Sequence, residues 1–261
     1  MRNQPAPKPA PKQQQGPVST GIGDALIRAL GLQAGPLSAE TVMDRFGDSD
    51  RPLSPQERWI AGVFLAVVLG LFLLEIWHDY QPVKLSALLV ILFWIPLLAL
   101  HECGHAVTAA LLHWRVQKVV IGLGRLVATF RIRNTPVEIR LLPIEGFVRC
   151  APQDLHFPRL KQIAIYFAGP GVELLVALGV VLGIGWNRLL TLTDNYSLIA
   201  WQSLALAATA GAVLNLIPQA VRTPQGLIPN DGLGILLSFF LPEQHFAQML
   251  SEDRKAGKTK L

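Results

Sequence analysis

Long runs of apolar residues recur through most of this 261-residue chain after about residue 58. A helix of about 20 apolar residues is long enough to cross the hydrocarbon core of a bilayer. The pattern predicts about four such helices, at about 59–77, 85–112, 163–186 and 197–218. The first should begin at Pro55, because Ser54 suits the N-cap and proline suits the first helical position. The predicted fold class is therefore a multi-pass α-helical membrane protein.

The segment between the second and third predicted spans has a different pattern. Three short stretches rich in Val, Ile and Arg lie at 116–121, 126–133 and 137–142. Gly122–Gly124 and Asn134-Thr135-Pro136 separate them, and both separators are typical of turns. The sequence therefore predicts a small β-hairpin or sheet within 116–150, inserted between two membrane helices.

Four regions follow from these patterns. Residues 1–20 contain five prolines and four glutamines, a composition that predicts a disordered tail. Residues 21–58 are predicted to be an N-terminal segment with short amphipathic helices. Residues 59–241 are the predicted membrane-embedded core, and residues 242–261 a C-terminal tail.

Composition and charge distribution support a membrane location. Apolar residues make up 51% of the chain and charged residues 16%, whereas soluble domains have roughly 25% charged residues. Of the 23 Lys and Arg residues, 21 lie before residue 59, within 113–162 or after residue 218. The positive-inside rule therefore predicts that both termini and the middle segment lie on the cytoplasmic side of the cell membrane. This distribution explains the net charge of +5 without a nucleic-acid partner.

The second predicted span ends in a chemically distinctive H-E-x-x-H pattern, Leu100–Ala106. Residues four apart share one face of a helix, so His101 and His105 can direct ring nitrogens at one Zn²⁺ ion. Glu102 lies ~100° around the helix from His101, where it can act as a general base without ligating the metal. The motif lies ~24 Å along the helix from Leu85. The site is therefore expected in the cytoplasmic half of the membrane.

The third metal ligand stays open at this point. Catalytic zinc sites typically have three protein ligands and an open water position. Glu75, Glu173 and Asp231 have the right residue type. Asp231 is also well suited to be the N-cap of a helix over 232–241, so spacing alone does not select it.

Taken together and in order, these motifs resemble those of the site-2 protease family of intramembrane zinc metallopeptidases, over about 140 residues. The H-E-x-x-H helix is joined by counterparts of the family's F-G-x-G, P-x-G-G-[FY]-V, A-G-P, N-x-x-P and D-G motifs. These lie at Ile121–Gly124, Pro143–Val148, Ala168–Pro170, Asn215–Pro218 and Asp231-Gly232.

The resemblance implies one Zn²⁺ per chain, ligated by His101, His105 and Asp231. It implies Glu102 as the base and Asn215 near the substrate carbonyl, although Asn215 could instead bind a neighbouring helix backbone. The implied reaction is hydrolysis of peptide bonds within or near transmembrane segments, in regulated intramembrane proteolysis. The implied partners are a transmembrane protein substrate and the lipid bilayer, and the oligomeric state stays open.

Three features depart from the family's pattern. Asn215 and Asp231 are 16 residues apart, farther than is usual, so 219–230 is interpreted as an insertion. Glu173 stands where the family commonly has Asn, which predicts an acidic group near the cavity or beside a metal ligand. Glu145 replaces the first of two glycines.

Two other functions are weighed against proteolysis. A catalytically inactive adaptor of the same fold could bind membrane helices, but it would not need the His101, Glu102 and His105 set. A metal transporter usually has ionisable residues on several facing helices. In this chain the ionisable residues of the predicted spans are a single cluster, His101, Glu102 and His105, together with Glu75 and Glu173.

Overall fold

The computed structural model describes residues 55–223 and 226–258. The predicted disordered tail at 1–20 and the short helices predicted between 21 and 54 lie outside the described residues. In chain order the elements are α1 (Pro55–His78), a 3-10 turn (Pro82–Lys84), α2 (Leu85–Leu111), β1 (Trp114–Ile132), β2 (Thr135–Pro152), α3 (Pro158–Ile184), α4 (Trp186–Leu189), α5 (Tyr196–Leu216), β3 (Ala220–Thr223), β4 (Gly226–Pro229), α6 (Asp231–Ser238) and α7 (Glu243–Lys258).

Three helices in the described part of the chain are long and apolar enough to cross a membrane: Pro82–Leu111, Pro158–Ile184 and Tyr196–Leu216. They correspond to the second, third and fourth predicted spans. The third begins at Pro158 and not at 163, because hydropathy marks only the apolar part of a helix, whereas proline favours the first turn. In α1, which is described from Pro55 onward, the apolar stretch found among the described residues is Leu69–His78, so the first predicted span and its start stay predictions.

The three long helices α2, α3 and α5 pack against one another through small residues. Leu97, Ala177, Ala207 and Ala208 form a buried cluster among them. Elsewhere α2 and α3 approach so closely that a Cβ on Gly104 would lie 2.7 Å from the backbone oxygen of Ala168. Small residues at such contacts let membrane helices bring their backbones together.

The predicted β insertion is confirmed in position, but its strands are longer than expected. β1 and β2 form one antiparallel pair that extends from Trp114 to Pro152. Gly122 and Gly124, interpreted from sequence as a separator, have φ angles of +94° and +75° and lie within β1. Glycine adopts such angles at little cost, so the chain bends there with an irregular register and the strand does not end. The true turn lies between Ile132 and Thr135.

The interpreted insertion at 219–230 is a short hairpin of β3 and β4. Its two ends are hydrogen-bonded to each other. The backbone N–H of Asn230 donates to the backbone carbonyl of Gln219 at 3.0 Å. The backbone N–H of Gln219 donates to the side-chain Oδ1 of Asn230 at 2.9 Å. The hairpin therefore returns the chain to its starting point, and α6 begins close to the end of α5.

The predicted boundary between core and C-terminal tail, at residue 241, falls inside one hydrophobic cluster. This cluster contains Ala109, Trp114, Ile165, Leu237, Leu241 and Phe246. Phe246 belongs to α7 and is completely buried. The C-terminal helix thus packs against both the membrane helices and the sheet.

The contact between α2 and α3 gives a stability prediction. Gly104→Ala should destabilise the protein by about 1–3 kcal/mol, because its methyl group would meet the Ala168 carbonyl. Gly179→Ala on α3 is the matched control, since nothing lies within 4 Å of its Cβ position. It should be neutral or stabilising by about 0.5–1 kcal/mol. The thermal unfolding midpoint in detergent measures both, and equal midpoints would contradict the close approach.

Candidate metal centre

Two imidazoles from α2 and one carboxylate from α6 converge in the structure. His101 Nε2 lies 3.0 Å from His105 Nε2 and 3.0 Å from Asp231 Oδ2. His105 Nε2 lies 3.4 Å from the same oxygen. Both histidines are buried and the Asp231 side chain is 13% exposed. These three residues are therefore a group that could hold a metal ion.

Asp231 reaches the histidines because a neighbour takes the capping role. Asn230, and not Asp231, is the N-cap of α6, and its Oδ1 accepts from the Leu233 amide at 3.1 Å. Its Nδ2 also donates to the carbonyls of Asn215 and Ile217, at 3.1 and 2.8 Å. The alternative that Asp231 caps the helix is therefore wrong, and its carboxylate is free to point at the cluster.

The remaining ring nitrogens of the two histidines face α3. His105 Nδ1 lies 2.6 Å from the Ile165 carbonyl oxygen, to which it can only donate. This hydrogen bond leaves Nε2 with a lone pair directed at the cluster. His101 Nδ1 lies 3.2 Å from Glu173 Oε2, within ion-pair distance, although the two atoms do not meet hydrogen-bond geometry. The buried carboxylate of Glu173 therefore lies beside a candidate metal ligand.

Glu75, the other acidic residue considered from the sequence, is elsewhere. Its carboxylate pairs with Lys84 at 2.7 Å near the start of α2, and its side chain is 67% exposed. His101 lies 16 residues after Leu85, the first residue of α2. The structure therefore does not bring Glu75 to the cluster.

Glu102 is buried beside the sheet, and its Oε2 has no hydrogen-bond partner among the described residues. Gly146 of β2 lies against it, so closely that a Cβ there would be 2.6 Å from Glu102 Oε1. Burial of a carboxylate oxygen without a partner is costly. The arrangement therefore leaves Glu102 able to accept a hydrogen bond from a water molecule or a substrate.

Glycines make room for these side chains, and sequence reasoning missed this role. A Cβ on Gly169 would lie 2.6 Å from His101 Nε2 and also collide with His105 Nε2. A Cβ on Gly211 would lie 2.7 Å from Glu173 Oε1. Gly169 and Gly146 belong to motifs in the sequence, which could have directed attention to them. Gly211 belongs to none of those motifs.

Among the described residues, the side chain of Asn215 makes no hydrogen bond to His101, Glu102, His105 or Asp231. Its Nδ2 donates to the Gly211 carbonyl one turn earlier in α5, at 3.1 Å. This bond resembles the backbone alternative weighed from the sequence, although the acceptor is in its own helix. An amide nitrogen has a second hydrogen, so a further bond is possible.

The charge and spacing of the cluster suit a divalent cation. Burial by itself raises the pKa of the Asp231 carboxyl, but hydrogen bonds with His101 and His105 outweigh it and lower that pKa below the usual aspartate range. Two ligands at 2.0–2.1 Å from a tetrahedral zinc ion are about 3.4 Å apart. The observed separations of 3.0 to 3.4 Å are close to that value, so the residues fit such a metal.

The chain also matches a known protein family. The sequence pattern of Peptidase family M50 matches residues 87–220, about half of the chain. The match includes the two histidines but ends before Asp231.

Individual relatives match over shorter segments. A provisionally named zinc metalloprotease of Campylobacter jejuni is 28% identical over 58% of this chain and 40% of its own length. Zinc metalloprotease Rip1 of Mycolicibacterium smegmatis is 29% identical over 36% of this chain and 29% of its length. Zinc metalloprotease RasP of Bacillus licheniformis is 37% identical over 27% of this chain and 17% of its length. The chain thus spans less than half the length of these three relatives.

The glycine beside the histidines gives a prediction about metal binding. Gly169→Ala should weaken divalent-metal binding by about tenfold or more, as loss of ligand support does, because its methyl group would displace both imidazoles. Gly183→Ala on the same helix has open space around its Cβ and should bind metal like the wild type. Metal content after equilibration with a competing chelator measures both, and unchanged binding in Gly169→Ala would contradict the geometry.

Proposed function

The chain belongs to Peptidase family M50, and from that premise we propose that it is a zinc-dependent intramembrane protease. The observation that carries the proposal is the convergence of His101, His105 and Asp231 beside a buried glutamate, within an apolar helical bundle. In the proposal these three residues hold one Zn²⁺ per chain. The substrate is a transmembrane protein that is cut within or near its membrane span, in regulated intramembrane proteolysis.

The proposed chemistry divides between the metal and the chain. When bound, zinc supplies Lewis acidity, which can polarise a peptide carbonyl and make water acidic near neutral pH. Glu102 accepts a proton from the attacking water and returns it to the leaving amine. Its unpartnered Oε2 supports this role, because no hydrogen bond among the described residues has to be broken first.

Two further elements are proposed to hold the substrate. Gly146 brings the backbone of β2 against Glu102, so an extended peptide lying beside this strand would have its amide bonds near the base. Asn215 would use its second amide hydrogen to bind the substrate carbonyl or the developing oxyanion. Its side chain lies in the last turn of α5, shortly before the hairpin that leads to Asp231.

The proposed setting is the cell membrane, with the site toward the cytoplasm. α1 adds a fourth span at about 59–77, and both termini, the sheet at 116–150 and the C-terminal segment 242–261 lie on the cytoplasmic side. The support is the concentration of Lys and Arg outside the apolar runs. Lipid surrounds the core at 59–241, and no nucleic acid is expected.

Replacing the proposed base tests the enzymatic function. Glu102→Gln should retain zinc but lose cleavage by about a hundredfold or more, as expected when a general base is removed. The probe is a tagged single-span membrane protein with helix-breaking residues in its span, incubated with purified protein in lipid and followed by mass spectrometry.

Glu75→Gln is the control, because Glu75 also lies in an apolar helix but pairs with Lys84 away from the site. It should cleave like the wild type. If Glu102→Gln cleaves the probe as fast as the wild type, the protein is not a hydrolase of this kind. Retained helix binding without cleavage in the wild type would favour the adaptor, and transmembrane zinc flux would favour the transporter.

Glu173 is proposed to orient the His101 ring through Nδ1. Carboxylates beside ligand histidines typically contribute 10–100-fold to metal affinity. Glu173→Gln, which keeps the size but removes the charge, should weaken zinc affinity by about tenfold. Gly211→Ala should act in the same direction, because its methyl group would meet Glu173 Oε1. Chelator competition measures the affinity, and a wild-type value in Glu173→Gln would rule out the role.

A further inference from the structure

The C-terminal helix α7 contributes Phe246 to a buried hydrophobic cluster. Phe246 is the largest fully buried side chain in the described part of the chain. It packs in one cluster with Ala109, Ile165 and Leu237, and its ring meets that of Trp114 at a centroid distance of 6.5 Å. α7 lies beyond the residues matched by the family pattern.

Three members of this cluster belong to the elements that support the candidate ligands. Ala109 lies one turn after His105 on the same face of α2. Ile165 of α3 provides the carbonyl that accepts from His105 Nδ1 at 2.6 Å. Leu237 belongs to α6, the helix of eight residues that begins at Asp231. Phe246 therefore shares one buried cluster with a residue from each of these three elements.

Nearer its C-terminal end, α7 is hydrogen-bonded to the sheet through Asp253. Asp253 is 9% exposed and accepts hydrogen bonds from the side chains of Arg115 and Gln117 on β1. Arg115 also donates to the Asp253 carbonyl at 3.3 Å. Hydrogen bonds to a charged group are stronger than those between neutral groups. α7 is thus held at two places, by the apolar cluster and by the strand that follows α2.

We infer that α7 is a positioning element for the metal centre, with Phe246 acting through Ile165 and Leu237 and with Asp253 holding the helix in place. The inference rests on the proposed function. Emptying the space that Phe246 fills would let α3 and α6 relax toward the cavity. The Ile165 carbonyl and Asp231 would then shift relative to the histidines, and metal ligation tolerates such shifts poorly.

The test is zinc affinity in the full-length protein, measured by competition with a chromophoric chelator in detergent. Phe246→Ala should weaken zinc binding by about tenfold, and Phe246→Leu should recover most of it. The absorption spectrum of the Co²⁺-substituted protein should change in Phe246→Ala, because it reports ligand geometry.

Ile199→Ala is the matched control for lost packing. Ile199 is 1% exposed, but it lies 16 residues before Asn215 on α5, about 24 Å along the helix. It should lower the thermal midpoint without changing zinc affinity or the Co²⁺ spectrum. An equal loss of zinc affinity in Ile199→Ala and Phe246→Ala would overturn the inference.

Asp253→Ala provides a second variant that leaves the apolar cluster intact. It should also weaken zinc binding, whereas Glu252→Ala at an exposed neighbouring position should not. If Phe246→Ala does not fold, Asp253→Ala decides, and wild-type affinity there overturns the inference. A wild-type protein that binds no zinc would instead contradict the proposed function, so the two failures are distinguishable.

Discussion

Burying polar side chains inside an apolar helical bundle is the constraint on which the rest of the structure depends. Each such group costs several kcal/mol unless it finds a partner. His101, His105 and Asp231 meet this constraint by converging on one another. The convergence requires backbones to approach closely, and glycine is what permits it. Gly104 brings α2 and α3 together, while Gly169 leaves space for both imidazoles. The same close approaches between backbones therefore determine both the helix packing and the geometry of the site.

The same constraint explains how distant segments of the chain are arranged. His101 and Asp231 are 130 positions apart, and the β3–β4 hairpin closes on itself so that α6 starts beside the end of α5. On the sheet, the absence of a side chain at Gly146 lets the backbone of β2 lie against Glu102. The centre therefore lies between the helical bundle and the sheet, and both layers contribute to it.

Several acidic groups lie in or beside this centre. The carboxylates of Glu102 and Glu173 are buried in the same bundle as the two imidazoles, and Asp231 adds a third acidic group. A divalent cation would compensate much of this negative charge. Glu173, where Asn is common, lies against the ring of His101, and Gly211 provides the space that its carboxylate needs. This chain thus contains both the carboxylate and the glycine that leaves space for it.

Local signals in the sequence determined the long helices, the position of the β insertion and the shared face of His101 and His105, because length, hydropathy and i,i+4 spacing act within one segment. They did not identify which acidic residue meets the histidines, or that Asn230 caps α6 in place of Asp231. The tail predicted after residue 241 likewise proved to include a helix anchored by Phe246. Only the tertiary structure decided these points, because each depends on contacts between segments far apart in the chain, and packing of whole helices sets those contacts.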